Sequence, residues 1–382
     1  MKDSADVVIV GGGVNGCLLG YRLAKAGVDV VIIEQKYLGS GATGSCGAGI
    51  RQQWSTKENT ELAIQSVKIF ERLSDELGED IEFRQGGYLI INHDEQELKQ
   101  SKKNVSMQHS LGLKVCIIDR DRIKEIVPIL DLKAIGACAS TFCPTDGHAN
   151  PFKTTFAAAH AAQREGANIH THTIVKDIII KQNKITGIQT SNGMINTECV
   201  VNAAGVWSTQ IADMVGITLP NQPYRKEAIA TERLQPMFEA MVISFKDGIY
   251  FSQQKEGQIV GGIPIPEEKK GFFTQPTFSF LQHMSQTLTR YVPTLKTVNM
   301  LRHWTGFYDV TPDARPILGP DDNIEGFIHC HGFSGHGFML SPMVTKVIAE
   351  YIVSKSISDV LKALSINRFK DDITIKEQSV VG

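Results

Sequence analysis

The 382-residue sequence has only seven cysteines, Cys17, Cys46, Cys116, Cys138, Cys143, Cys199 and Cys330, and no two of them form a C-x-x-C pair. That leaves no zinc or iron–sulfur spacing, and an odd, scattered set of thiols suits a reducing cytoplasm better than a disulfide framework. Charge of one sign is also scarce: the formal net charge is -2, so there is no basic field for nucleic acid. No apolar run approaches the roughly 18 residues that cross a bilayer. The start of the chain has no charged segment followed by a long apolar one, so neither a membrane span nor a signal peptide is expected. Repeats, low-complexity segments and long charge runs are missing too. What remains is an ordinary globular composition, 42% hydrophobic and 21% charged. The length suits about two or three domains.

What is present is concentrated first in residues 1–34. Ala5-Asp6-Val7-Val8-Ile9-Val10 is a short β-branched run ending abruptly in glycine, the pattern of a buried parallel strand. Gly11-Gly12-Gly13-Val14-Asn15-Gly16 follows and fits G-x-G-x-x-G on Gly11, Gly13 and Gly16. Leu18, Leu19, Leu23 and Ala26 recur at helical spacing, Gly27 closes the helix, and a second strand over 28–33 delivers Glu34. The unit predicts a pyrophosphate site. Gly11 allows the tight turn, Gly13 lets the backbone approach the phosphates, and Gly16 lets the helix pack on the strand. Glu34 is placed to accept from the ribose hydroxyls of an adenosine, which argues against a 2′-phosphate and so against NADP. Glycines alone also fit an ordinary turn; strand, glycines, helix, strand and acid together form the stronger pattern.

Residues 38–51, with glycine at 39, 41, 44, 47 and 49, predict a loop without a long helix or regular strand, either pressed against a ligand or serving as a linker. An amphipathic helix is expected over 57–77, a strand over 87–91, a polar helix over 95–111 and an alanine-rich helix over 152–165. Further strands are expected over 168–180, 184–190 and 194–196, before a buried strand at Cys199 that runs into small residues and a helix. Residues 221–304 read as mixed, with strands near 240–245, 248–252 and 258–262 and a helix over 277–291. Residues 304–319 read as irregular and proline-punctuated. Gly332-Phe333-Ser334-Gly335-His336-Gly337-Phe338 is a glycine turn opening a helix over 341–357.

Three separated motifs carry a resemblance. They are residues 11–34, the segment Val201-Asn202-Ala203-Ala204-Gly205-Val206-Trp207-Ser208, and Asp309-Val310-Thr311-Pro312-Asp313-Ala314-Arg315-Pro316-Ile317-Leu318-Gly319 with the 332–338 turn. Together they resemble the FAD-dependent D-amino-acid-oxidase/sarcosine-oxidase family over essentially the whole chain. Residues 46–53 and 146–152 are similar to the β subunits of heteromeric amine dehydrogenases and oxidases, dye-linked L-proline dehydrogenase and heterotetrameric sarcosine oxidase among them. The resemblance implies an α/β flavoprotein fold of the glutathione-reductase type. A Rossmann-like FAD-binding domain would comprise 1–82, 146–220 and 305–382, and a mixed α+β substrate lobe 83–145 and 221–304. It also implies non-covalent FAD held by Gly11, Gly13, Val14, Asn15, Gly16, Glu34, Gln35, Gly41, Ala42, Thr43, Val175, Ala203, Ala204, Gly205, Trp207 and Gly306, and by 332–339 (Gly332, Phe333, Ser334, Gly335, His336, Gly337, Phe338, Met339). No metal is expected.

On the substrate side, Arg51 aligns with the arginine that grips the substrate carboxylate in sarcosine oxidases; a salt-bridged surface arginine is the alternative. Tyr250 and Tyr308 match aromatic positions of the family's cavity, or are simply core. His336 is a donor to the flavin or a satisfied loop histidine, and His148 is left open. Three departures stand out. Met339 replaces a lysine of the related monomeric oxidases, Gly306 replaces the cysteine that bonds FAD, and Ile259 falls near their oxygen-activating lysine. The expected reaction is oxidation of the C–N bond of a small amino acid, L-proline, sarcosine or a similar secondary amine, to an imine. The chain would act as the catalytic β subunit of a dehydrogenase with an α subunit or other electron-transfer partners. An FMN at a subunit face would be unbonded, since Pro151 replaces its attachment histidine. A stand-alone, peroxide-releasing oxidase of the glycine, sarcosine or D-amino-acid type is the alternative, and a non-catalytic FAD-stabilised subunit the third reading.

Overall fold

The structure is a computed structural model that describes residues 2–379 apart from 267, 269 and 371–374. The opening unit forms as its sequence requires. β1 (Val7–Val10) leads through the glycines to α1 (Val14–Lys25) and then to β2 (Val30–Ile33), which pairs in parallel with β1. Every residue of both strands is buried. Val7 and Ile9 pack with Leu18 and Leu23 of α1, while Val8 and Val10 pack on the other face with Ile178, Ile185 and Ile188. At about 1.5 to 3 kcal/mol for each buried Val or Ile side chain, this two-sided cover holds the glycine turn in place.

The pair sits inside a six-stranded sheet built from distant segments. Its order is Ile317–Pro320, Phe327–His331, Val200–Asn202, β1, β2, Asn168–His170, and only the edge strand Ile317–Pro320 is antiparallel. The long helices α2 (Lys57–Leu77), α3 (Pro151–Arg164) and α4 (Gly337–Ser354) share the core of α1, joined by Leu361 of the short helix Asp359–Ala363. A three-stranded antiparallel sheet, Val175–Lys181, Lys184–Thr190 and Gly193–Asn196, supplies the cover of the opposite face. The glycine-rich stretch 38–51 holds only a helix at Ala42–Ser45 and a short strand at Gly49–Ile50, paired with Gly147–His148.

A second, eight-stranded sheet has the order Met300–Val310, Gln222–Thr231, Ile259–Gly262, Tyr250–Gln253, Met241–Ile243, Tyr88–Asn92, Ala139–Cys143, Cys116–Ile118. The helix Phe278–Tyr291 covers one face, with Phe280, Met284 and Leu288 packed among Leu89, Phe251 and Ile259.

Residues 304–319 differ from expectation. The stretch begins inside an eleven-residue strand, here β4 (Met300–Val310), antiparallel to β3 (Gln222–Thr231), with Gly306 opposite Lys226 and Tyr308 opposite Tyr224. β4 is an edge strand whose residues are mostly half-buried, so it lacks the alternation that marks a strand in sequence. It also runs unbroken through 304/305, where the sequence reading separates the two lobes.

Candidate active site

The glycines of the first turn are dictated by contact. Gly11 has φ +117°, and a Cβ there would lie 2.4 Å from the Ala203 carbonyl oxygen; a Cβ on Gly16 would lie 1.9 Å from the Gly11 carbonyl oxygen. Only bare backbone lets α1 start this close to β1 and to the turn after Val200–Asn202. The turn opens on a long cavity that runs past Gly13, Val14, Asn15, Glu34, Gln35 and residues 41–43. Its further walls are Val175, Ala203, Ala204, Gly205, Trp207, and Phe333, Ser334, Gly335, Gly337 and Phe338 at the start of α4. Of the other expected cofactor residues, Gly16 packs the helix, Gly332 turns the chain with φ +75°, and Gly306, His336 and Met339 line a second cavity instead.

Glu34 is fixed at the end of β2 by the amides of Gly12 and Lys36, each at 2.8 Å, and by the Ser40 hydroxyl at 3.2 Å. Asn15 presents a buried Oδ1 that has no hydrogen-bond partner among the described residues. A helix N-terminus, a bare glycine turn, an unpartnered amide and an anchored acid suit the phosphates and ribose of the FAD that the resemblance implies.

The second cavity, about 80 Å³, shares Cys46, Phe307, Tyr308, Gly335 and Phe338 with the first. That is room for a molecule displacing roughly six waters. Arg51, Tyr88, Tyr250, Tyr308, Lys226, His336 and Met339 line it. Arg51 is 1% exposed, and no carboxylate lies within ion-pair distance of it among the described residues. Its Nη1 donates to the Gln53 carbonyl at 3.0 Å, its Nη2 to the Ser379 carbonyl at 2.6 Å, and its guanidinium lies 4.3 Å over the Trp54 ring. Burial lowers its pKa. A cation taken out of water and given carbonyls and the rings of Trp54 and Phe245 is a ready site for an anion.

Burial pushes the phenols of Tyr88, Tyr250 and Tyr308 upward, so they face the cavity as neutral donors. The glycine loop is shaped to them: a Cβ on Gly47 would lie 2.7 Å from the Tyr250 ring, and one on Gly49 1.7 Å from the Tyr88 hydroxyl. His336 caps α4, with its ring 4.5 Å from Trp54 in edge contact. Burial and the charge of Arg51 push its imidazole down to about 3, so it is neutral. Asp146 is no partner for Arg51; it accepts from the Gln52 amide at 2.8 Å and from the Gln52 and Gln53 side chains at 3.0 Å, and burial raises it to about 6.

Ile259 does not face the cavity. It lies fully buried in the core of the eight-stranded sheet and lines neither cavity. The cavity does contain a lysine that the sequence reading passed over, Lys226 on β3, paired with Glu268 and 5.4 Å from the Tyr308 ring. Burial lowers its pKa against the opposing pull of Glu268. Nothing marked Lys226 in the sequence, because β3 itself was not recognised. Tyr88, in the expected strand over 87–91, opens the observed strand Tyr88–Asn92. His148 lies outside both cavities, buried and pushed down to about 4 by that burial and by Arg84. Pro151 occupies the first turn of α3 behind the Asn150 cap.

The sequence model described as "FAD dependent oxidoreductase" matches residues 6–351. The chain is 27% identical to sarcosine oxidase subunit beta from Arthrobacter sp., over 100% of this chain and 95% of that one. It is 27% identical to mitochondrial dimethylglycine dehydrogenase from Mus musculus, where it covers 92% of itself but spans only 43% of the relative. Among solved structures, L-proline dehydrogenase from P. horikoshii is similar with a TM-score of 0.93 and 36% identity, covering 97% of this chain and 99% of that one. With a matched segment that takes in both cavities, this chain belongs to the FAD dependent oxidoreductase family.

Proposed function

We propose that this chain oxidises the C–N bond of a small amino acid, L-proline, sarcosine or a similar secondary amine, to an imine. The observation that carries the reading is Arg51: a buried guanidinium with no carboxylate in ion-pair distance among the described residues, at the wall of a small cavity that shares residues with the dinucleotide cavity. Bound FAD supplies the two-electron acceptor. Arg51 takes the substrate carboxylate, and Tyr88, Tyr250 and Tyr308 enclose the remainder and shut out water. The first turn of α4 offers amides toward negative charge developing in the cofactor cavity. His336 is too weak a base at about 3 to take the amine proton and the phenols are held protonated, so these groups leave the oxidation to the neutral form of the amine.

The similarity to a sarcosine oxidase subunit over 95% of its length supports a β-subunit role with electrons passed to a partner, and an FMN at that face would be unbonded at Pro151. Phe152 and Phe156, stacked at 6.4 Å and 40% and 38% exposed, give the start of α3 an apolar surface suited to such a partner. A second reading, the stand-alone oxidase, is favoured by Lys226, whose charge in the cavity can stabilise reduced oxygen. Anaerobic titration of the holoprotein with proline, sarcosine, glycine and alanine tests the reaction, with flavin bleaching by at least one expected. The reduced protein is then mixed with air-saturated buffer or with a dye. Faster reoxidation by dye supports the dehydrogenase, and equal rates in an active monomer support the oxidase.

A further inference from the structure

Arg51 and Glu377 are both buried without an ion-pair partner among the described residues, and the same short segment links them. Glu377, 1% exposed, lies in the segment 375–379 near the end of the chain. Its carboxylate accepts from the Ser55 amide at 3.0 Å, the Ser55 and Thr56 hydroxyls, the Asn59 side chain at 3.0 Å and the Ser379 amide at 2.9 Å. Ser55, Thr56 and Asn59 lie at the N-terminal end of α2, so Glu377 pins the segment to that helix end. The Gln378 amide donates to Ser55 Oγ at 3.0 Å and adds to the anchor. Burial works to raise the Glu377 carboxyl, but this set of donors outweighs it and brings it down to about 2, so it is ionised at working pH.

Ser379 is the hinge of the arrangement. Its amide donates to Glu377, and its carbonyl takes Nη2 of Arg51 at 2.6 Å. With Gln53 on Nη1 and Trp54 under the plane, the guanidinium is fixed through two of its five N–H groups. A carboxylate in direct contact would have neutralised Arg51 and closed it to a ligand. Held one residue away by its own donors, Glu377 orders Arg51 without occupying it.

We infer that the 375–379 segment is part of the substrate site, and that Glu377 is a positioning residue that sets Arg51 for a ligand carboxylate through the Ser379 carbonyl. This rests on the proposed role of Arg51 and adds the element that orders it. The test is binding of cyclopentanecarboxylate, a proline-shaped acid with no C–N bond to oxidise, followed by flavin absorbance in the full-length holoprotein. Cyclopentanecarboxamide is the uncharged control. Glu377→Ala should weaken the acid about tenfold, the loss of one hydrogen bond to a charged group, with little change for the amide. In an Arg51→Lys background the same change should add almost nothing, because its route is gone. Asn59→Ala, which removes a single donor, should act in the same direction by less, and serves if Glu377→Ala fails to retain FAD. The proposal is overturned if the acid binds either variant as tightly as wild type, if acid and amide weaken together, or if the wild type takes up no acid. If no amino acid bleaches the flavin but the acid still binds and follows this pattern, the positioning role stands and the proposed reaction falls.

Discussion

Arg51→Lys separates the two things a guanidinium brings to the cavity, its charge and its fork of donors. Lysine keeps the first and loses the second, so substrate affinity should fall by roughly 1.5 to 3 kcal/mol while flavin reduction at saturation changes less. Stopped-flow reduction across a substrate series reads both quantities; unchanged affinity would return Arg51 to a structural role. Gly306 makes a second case. A Cβ there would lie 2.7 Å from Ser45, and glycine has no sulfur to bond a flavin, so acid precipitation should leave the yellow colour in the supernatant. Colour retained in the pellet would contradict it. Arg51, Tyr250 and Tyr308, named in the sequence through the family resemblance, do line the cavity. Tyr88, Lys226 and Glu377 were not legible as site residues, since their roles arise from packing between segments far apart in sequence.

Among the elements, β4 joins the two cavities to the sheets. At its end Asp309 accepts from the Gly332 amide at 2.7 Å, from the Asn221 side chain and from the Ser208 hydroxyl at 3.4 Å, tying the turn before α4 to the turn after Val200–Asn202. Burial raises its carboxyl to about 6, against which those donors work. An unfolded aspartate titrates near about 3.9. Between the two values the folded protein binds the extra proton, so this group's stabilisation is fully present below about 4 and is lost as pH rises through about 6. Asp309→Asn cannot titrate there. Its deficit against wild type in urea unfolding should therefore be larger at pH 4 than at pH 7, by about 2 kcal/mol. A deficit independent of pH would contradict the raised carboxyl. The sequence announced both turns that Asp309 ties, through their glycines and small residues. It concealed the strand that bears Asp309, because a half-buried edge has no period to read.

Across the whole molecule, the dinucleotide half was readable because a parallel sheet covered on both faces needs continuous β-branched runs and a bare glycine turn, and both are visible in one dimension. The substrate half was not, because its cavity is assembled from β3, β4, the glycine loop, Tyr88 and the first turn of α4, whose meeting depends on the folded sheets. What matters most for function is therefore whether the assembled cavity selects a carboxylate beside the flavin. The direct measurement is anaerobic mixing of the FAD-loaded protein with L-proline, sarcosine and their carboxamides while flavin absorbance is followed. At least one acid should bleach the flavin with saturation, and its amide should fail to saturate over the same range. An amide that bleaches as readily as its acid, or a flavin that no amino acid bleaches, would contradict carboxylate selection by Arg51.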